Sequence, residues 1–155
     1  MATLKTQGTQ LWMVTGTTTS VEIGNITSFN PPSPAADEIE ATNLSSTAKE
    51  FVQGLIDYGE GSFEINLDPT STAHQGILTA LAAGTTREFL IGLSDATTAV
   101  PTVATSSFGT PPTTRSWVKF NGFIKGFTMQ GGTNDLVKAT LTVRNTGSPT
   151  YTWKA

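Results

Sequence analysis

The chain has 155 residues, including 29 Thr, 12 Ser, 15 Gly and 8 Pro, and only 37% of it is hydrophobic; this argues for one β-rich domain with polar faces and against a helical bundle. Nine basic and twelve acidic residues give a net charge of −3 with no run of Lys or Arg, so the chain lacks the basic footprint of a dedicated nucleic-acid binder. The absence of Cys excludes disulfides, thiolate metal sites and cysteine nucleophiles, and without an apolar leader or an 18-residue apolar run the expectation is cytoplasmic synthesis and no membrane insertion.

Gln10 to Val14 and Val21 to Phe29 read as two strands of a first hairpin around the turn TGTTTS, ended by Asn30-Pro31-Pro32-Ser33-Pro34. Glu38 to Thr42 is a short strand in which Ile39 and Ala41 alternate with polar residues. Asn43 to Glu60, NLSSTAKEFVQGLIDYGE, shows neither a strand nor a helix period, and Gly54 and Gly59 loosen it. It reads as a long loop whose apolar residues need a partner.

In Ser62 to Asp68, Phe63, Ile65 and Leu67 alternate with Glu64, Asn66 and Asp68, the period of a strand with one buried face. Pro69 suits a first helical turn, and Asp68, Thr70, Ser71 or Thr72 can cap it. His74, Ile77, Leu78 and Leu81 then form one apolar stripe, and Gly84 supplies a left-handed C-cap. Thr86 to Leu93 is a strand. Ser94 to Thr114, with Pro101, Pro111 and Pro112, reads as an exposed, mobile excursion.

Arg115 to Gln130 is a long strand whose Gly122 and Gly126 mark bends or close backbone approach. Gly131 to Asn134 turns it into Asp135 to Asn145, where Val137, Ala139, Leu141 and Val143 alternate with Lys138, Thr140, Thr142 and Arg144. Thr146 to Pro149 ends that strand, and Tyr151 and Trp153 close the chain as an aromatic tail that a lone subunit has little reason to expose. No internal repeat occurs at solenoid periods.

Catalytic chemistry finds little support. His74 is the single histidine, which precludes a histidine metal cluster and leaves any Ser/His/Asp triad dependent on a helix-stripe residue expected to be packed. Glu38 and Glu40 share a strand face, as do Glu64, Asn66 and Asp68, but acids two apart on a strand are commonplace and no sugar platform accompanies them. GFIKG, Gly122 to Gly126, lies inside a strand and lacks the helix start that holds an anion. Asn25-Ile26-Thr27 and Asn43-Leu44-Ser45 match a glycosylation sequon by chance. Thr-rich strands, an apolar loop and an aromatic tail favour assembly, in which strand edges close between subunits into a ring.

The blocks GTQLW (Gly8 to Trp12), STAKEFVQGLIDYGEGSFEINLDPTSTAHQGILTAL (Ser46 to Leu81), GTTREFLIGLSD (Gly84 to Asp95) and FNGFIKGFTMQGGTNDLVKATLTVRNTGSPTYTW (Phe120 to Trp153) occur in that order. Together they resemble the major tail tube proteins of long-tailed, lambda-like bacteriophages. The resemblance implies a mainly β fold, a β-sandwich or partial barrel with one flanking helix, shared with type VI secretion tube proteins. It also implies stacked, hexameric rings around a channel through which DNA and the tape-measure protein pass, with tail completion proteins as further partners and the virion as location. The loop at about 37 to 60 is expected to reach the neighbouring ring, and the tract at 96 to 114 to be an insertion on the outer surface.

The resulting expectation is a structural subunit spanning residues 1 to 155, without catalysis, metal or cofactor. Phe51, Val52, Leu55, Ile56, Asp57 and Tyr58 are the expected inter-ring contacts, and Leu11, Trp12, Tyr151 and Trp153 the expected subunit contacts. Glu22, Glu38, Glu40 and Glu64 are the candidate acidic lumen residues, because a channel for DNA must not grip phosphate. Lys138 and Arg144 fit that idea only if they point away or pair with acids such as Glu22 or Glu64. The rival readings are a tube or terminator subunit of a related ejection or secretion system, and a monomeric glycan-binding β module that uses Trp117, Tyr151 and Trp153.

Overall fold

A computed structural model describes residues 3–96 and 98–155. Along the chain these form β1 (Gln10–Val14), β2 (Ser20–Ile23), β3 (Ile26–Asn30), β4 (Ala35–Glu40), β5 (Phe51–Asp57), β6 (Glu60–Asn66), α1 (Thr72–Ala83), β7 (Arg87–Gly92), β8 (Trp117–Gln130), β9 (Lys138–Asn145) and β10 (Thr150–Thr152). Among the described residues the fold is mainly β with a single helix, as the sequence predicts.

Seven strands form an antiparallel sheet in the order β2-β1-β7-β8-β9-β6-β3, and β10 pairs with the first residues of β8. The edge strands β2 and β3 are consecutive in sequence, separated only by Gly24 and Asn25. Three peptide steps reach at most about 11 Å, so the sheet must roll until its two edges nearly meet. The result is a partial barrel. Asn25 takes a left-handed conformation, φ 60°, and its carbonyl accepts the Asn66 amide at 2.9 Å. The strand predicted from Val21 to Phe29 is therefore broken here: β2 pairs with β1, and β3 crosses to β6.

Inside the roll, the inward residues of alternating strands meet: Leu11, Met13, Ile23, Phe63, Ile65, Phe89, Ile91, Phe120, Leu141 and Val143 are all buried. Phe89, Phe120 and Phe63 stack in series, with centroids 5.4 and 6.5 Å apart. Helix α1 plugs this core. Ser71 caps it by accepting the His74 amide, and Gly84 ends it at φ 63°. The buried side is Ala73, His74, Ile77 and Ala80, so the stripe is rotated from the predicted one and Leu78 faces outward. The Nδ1 of His74 accepts the Asp68 amide at 3.0 Å, and its Nε2 lies 3.1 Å from the Gly24 carbonyl. A backbone amide can only donate, so the ring is neutral with its proton on Nε2. His74 thereby ties the turn before α1 to the β2–β3 link.

The tract from 96 to 114, predicted as an exposed excursion, is exposed over most of its described length but is anchored at several points. Thr97 lies outside the described residues, but Phe108 packs into a second cluster with Trp12, Val14, Leu90 and Trp117 on the other face of β1, β7 and β8. Pro101 and Pro111 are buried as well. The Glu88 carboxylate holds the tract down by accepting the Phe108 amide at 2.6 Å and the Ser107 hydroxyl. At its end, Arg115 is fully buried, with its guanidinium 5.4 and 5.1 Å from the Trp12 and Trp117 rings.

Strand β8 begins at Trp117 rather than Arg115, and both of its glycines have a local reason. A Cβ on Gly122 would lie 2.5 Å from the Arg144 carbonyl oxygen, whereas Gly126 sits at the register shift that follows Ile124.

Candidate functional site: an exposed hairpin and a polar sheet face

The segment read as a structureless loop from 43 to 60 is in fact half of a β-hairpin. Strands β4 and β5 pair only with each other and form a two-stranded sheet of their own. The register places Ile39 opposite Val52 on one face and Glu40 opposite Phe51 on the other, with a shift between Ala36 and Glu38. Both faces are open: Ile39, Phe51, Val52 and Ile56 are about half exposed, and Leu55 is 87% exposed. An isolated two-stranded hairpin is marginal in water, and a strand with apolar side chains on both faces has the composition of one buried on both sides.

The root of the hairpin is anchored by charge. Asp57 accepts the Gly59 amide at 2.9 Å and two bonds from Arg144 at 2.8 and 2.9 Å, which hold its carboxyl below the usual range. The same contacts raise the Arg144 guanidinium. Glu60 adds a looser contact to Arg144 at 3.8 Å and receives Lys125 at 2.5 Å. Tyr58 is half-buried at this root. Thus Phe51, Val52, Leu55 and Ile56 project freely, while Asp57 and Tyr58 belong to the hinge.

The outward residues of β3, β6, β9 and the second half of β8 make one polar face. Ser28, Glu64, Thr140 and Thr128 lie across it in register, as do Ser62 and Thr142 in the next row. Arg144 and Lys138 are on this face, each paired with an acid: Arg144 with Asp57 and Glu60, Lys138 loosely with Asp135 at 3.7 Å. The acids are not the Glu22 or Glu64 expected from the sequence. Two strand edges border the face, since no described strand pairs with the outer edge of β3 or with β8 beyond Gly122 on the β7 side.

The remaining predicted residues separate. Leu11 and Trp12 are interior, 1% and 4% exposed, because β1 is covered by the core on one side and by the 96–114 tract on the other. Their side chains serve the protomer, which corrects their assignment as subunit contacts. Tyr151 and Trp153 are exposed and stacked, with centroids 6.0 Å apart. Trp117 is fully buried, so the aromatic platform of a glycan-binding module loses one of its three members. The four candidate acids do not share a surface: Glu22 is on edge strand β2 and bonded to Gln10 at 3.0 Å, Glu38 and Glu40 are on the hairpin, and Glu64 alone lies on the polar face.

Sequence reasoning missed Arg115. Its Nε donates to the Leu93 carbonyl at 2.5 Å, Nη1 to Gln10 at 2.6 Å and more weakly to the Ala99 carbonyl, and Nη2 to the Gly8 and Gly92 carbonyls at 3.0 and 2.8 Å. Burial pushes this guanidinium below the usual arginine range, partly offset by Asp95 and Glu22. No hydropathy period marks a buried arginine in a strand-like run. Among the described residues, no group of three or more His, Asp or Glu is placed to hold a metal ion.

The rolled sheet with one flanking helix is a tail-tube fold, seen in phage-like tails and contractile injection systems. It superposes on the tail of an empty GTA particle refined with C6 symmetry, with a TM-score of 0.68 at 13% identity over 97% of this chain and 99% of the other. It also superposes on an extracellular contractile injection system structure described as the PVC sheath/tube terminator, with a TM-score of 0.69 at 10% identity over 97% of both chains. Within that class, residues 2–155 match the family model for lambda-like phage tail tube proteins. Structural protein 3 of Pseudomonas phage PAJU2 is 33% identical over 151 residues, covering 94% of this chain and 92% of that protein. The chain belongs to the lambda-like phage tail tube family and is a structural subunit of the phage tail tube.

Proposed function

We propose that the subunit assembles into stacked rings of six, with the polar face of β3, β6, β9 and β8 lining the channel and the β4–β5 hairpin joining ring to ring. The observation that carries this reading is the free-standing hairpin with apolar side chains on both faces. Such an arm becomes stable when other subunits enclose it. The open edges of β3 and β8 supply the lateral contact, because joining them between neighbours removes the unpaired backbone groups at both edges. Tyr151 and Trp153 add an exposed aromatic contact beside β8.

A Thr- and Ser-rich face whose Lys138 and Arg144 are already paired with acids suits a conduit, since unpaired cations would retain DNA phosphates. In this reading DNA and the tape-measure protein pass through the lumen without specific binding, and completion proteins close the tube ends. The subunit is synthesised in the host cytoplasm, works in the virion and has no enzymatic role. Replacing Leu55 and Ile56 by Asp tests it directly. Both side chains are exposed in the protomer, so the expected product is a folded subunit with unchanged circular dichroism that forms no tubes under electron microscopy. Long tubes from this variant would remove the hairpin from the inter-ring contact.

A further inference from the structure

The arm leaves the body through a short neck. Only Pro31-Pro32-Ser33-Pro34 leads from β3 into β4, and only Tyr58-Gly59 leads from β5 back into β6. Proline fixes φ at three of the four incoming positions, and Pro32 is buried. The two links touch: Gly59 has φ 73°, and a Cβ on it would lie 2.7 Å from the Ser33 carbonyl oxygen. The Gly59 carbonyl also accepts the Asn145 amide at 3.1 Å, which ties the outgoing link to the end of β9. The body side of the neck is therefore held by backbone.

Beyond the neck that hold stops. Among the described residues no backbone hydrogen bond joins β4 or β5 to the main sheet, and Arg144 is the one body side chain that bonds to the hairpin, through both oxygens of Asp57. Asp57 pairs with Ala35 at the hairpin's base, so this contact acts where a small rotation of the neck becomes a large displacement of the tip. Arg144 is itself held from the body, since Glu60 stands 3.8 Å away and is bonded in turn to Lys125. We propose that Arg144 is a positioning residue, a pin that sets the direction of the β4–β5 arm in the free subunit before any other copy is met. The inference rests on the inter-ring reading of the hairpin and names what aims it.

The pin works on direction and hardly on stability. The Arg144 and Asp57 side chains are 34% and 61% exposed, and an ion pair so open to water contributes little to folding. Nη2 of Arg144 lies 2.8 and 2.9 Å from the two Asp57 oxygens, however, which fixes the orientation of the carboxylate and with it the first pair of the hairpin. What the contact removes is the freedom of the arm to swing about Tyr58 and Pro34. An arm that is already aimed spares the ordering cost that a swinging one pays when it docks. The role of Arg144 therefore shows in assembly.

The chain has no cysteine, so a pair of spin labels reports the arm directly. Thr47→Cys in the hairpin turn and Thr79→Cys on α1 are both at exposed positions, and the distance between their labels is measured by pulsed electron resonance in dilute, unassembled subunit. The expected distribution is one narrow peak with Arg144, about twofold broader with Arg144→Gln, broader again with Arg144→Glu, and intermediate with Arg144→Lys, which keeps the charge. Salt at about 1 M, where screening acts within about 3 Å, should broaden the Arg144 peak and leave the Arg144→Gln peak unchanged. Circular dichroism and the thermal midpoint stay the same throughout, while tube growth from unlabelled Arg144→Gln subunit slows about tenfold. Equal widths across the series, or a peak already broad with Arg144, would overturn the pin; broadening without slower tube growth would overturn its role in assembly. The two readings fail separately, since tubes from the Leu55→Asp/Ile56→Asp variant defeat the inter-ring contact and leave the label distances as they are.

Discussion

Arg115 joins parts of the chain that are far apart in sequence. Its five donor contacts reach the segment before β1, the end of β7 and the following tract, and its flat guanidinium lies against Trp12 and Trp117. Lysine keeps the charge but not the fork. In an Arg115→Lys variant several buried carbonyls lose their donor, each at a cost of about 1–3 kcal/mol. The expected loss is about 3 kcal/mol of unfolding free energy, read from a denaturant titration. A loss below 0.5 kcal/mol would show that the surrounding carbonyls find other partners. His74 acts similarly on a smaller scale, and here the sequence was informative: a lone histidine in a helix stripe predicts a packed residue, and both of its nitrogens are occupied by backbone groups. Arg115 was not legible, since its partners are carbonyls and the sequence does not show where those converge.

Elements with a local cause were read well. The caps of α1, Ser71 and Gly84, act through neighbours within four residues, and the alternation around Phe63 and Leu141 follows from one face being buried. Strand β5 escaped detection for two physical reasons: neither of its faces is buried in the protomer, and Gly54 with Leu55 stands opposite Asp37 at a register shift, which interrupts the alternation. The 96–114 tract was partly legible. Its Thr and Pro content suggested an exposed excursion, and most of its described length is exposed, yet Phe108 is 4% exposed and anchors it under the sheet's outer face. Phe108→Ala should therefore cost about 3–5 kcal/mol, measured as a lowered thermal midpoint, whereas an unanchored excursion would show no shift.

Strand order is a property of the whole molecule, and periodicity along the chain does not contain it. Two adjacent strands, β2 and β3, end up at opposite edges of one sheet because a positive-φ asparagine lets the chain turn between them. The family was legible from blocks in fixed order; of the residues expected at contacts between copies, Leu11 and Trp12 are interior and Phe51, Val52, Leu55 and Ile56 are exposed. If the hairpin is enclosed on assembly, Lys49 at its exposed tip reports the event. Trypsin should cut the free subunit first after Lys49, and that cut should slow by about tenfold or more in tubes. Equal rates in both states would place the tip outside every contact.

The free-standing hairpin at one end of the strands also gives the subunit a direction. Any column that grows by repeating this unit without inversion has two unlike termini, one showing bare arms and the other showing bodies with nothing inserted. A factor that starts such a column and a factor that stops it must then differ in shape, and neither can do the other's task.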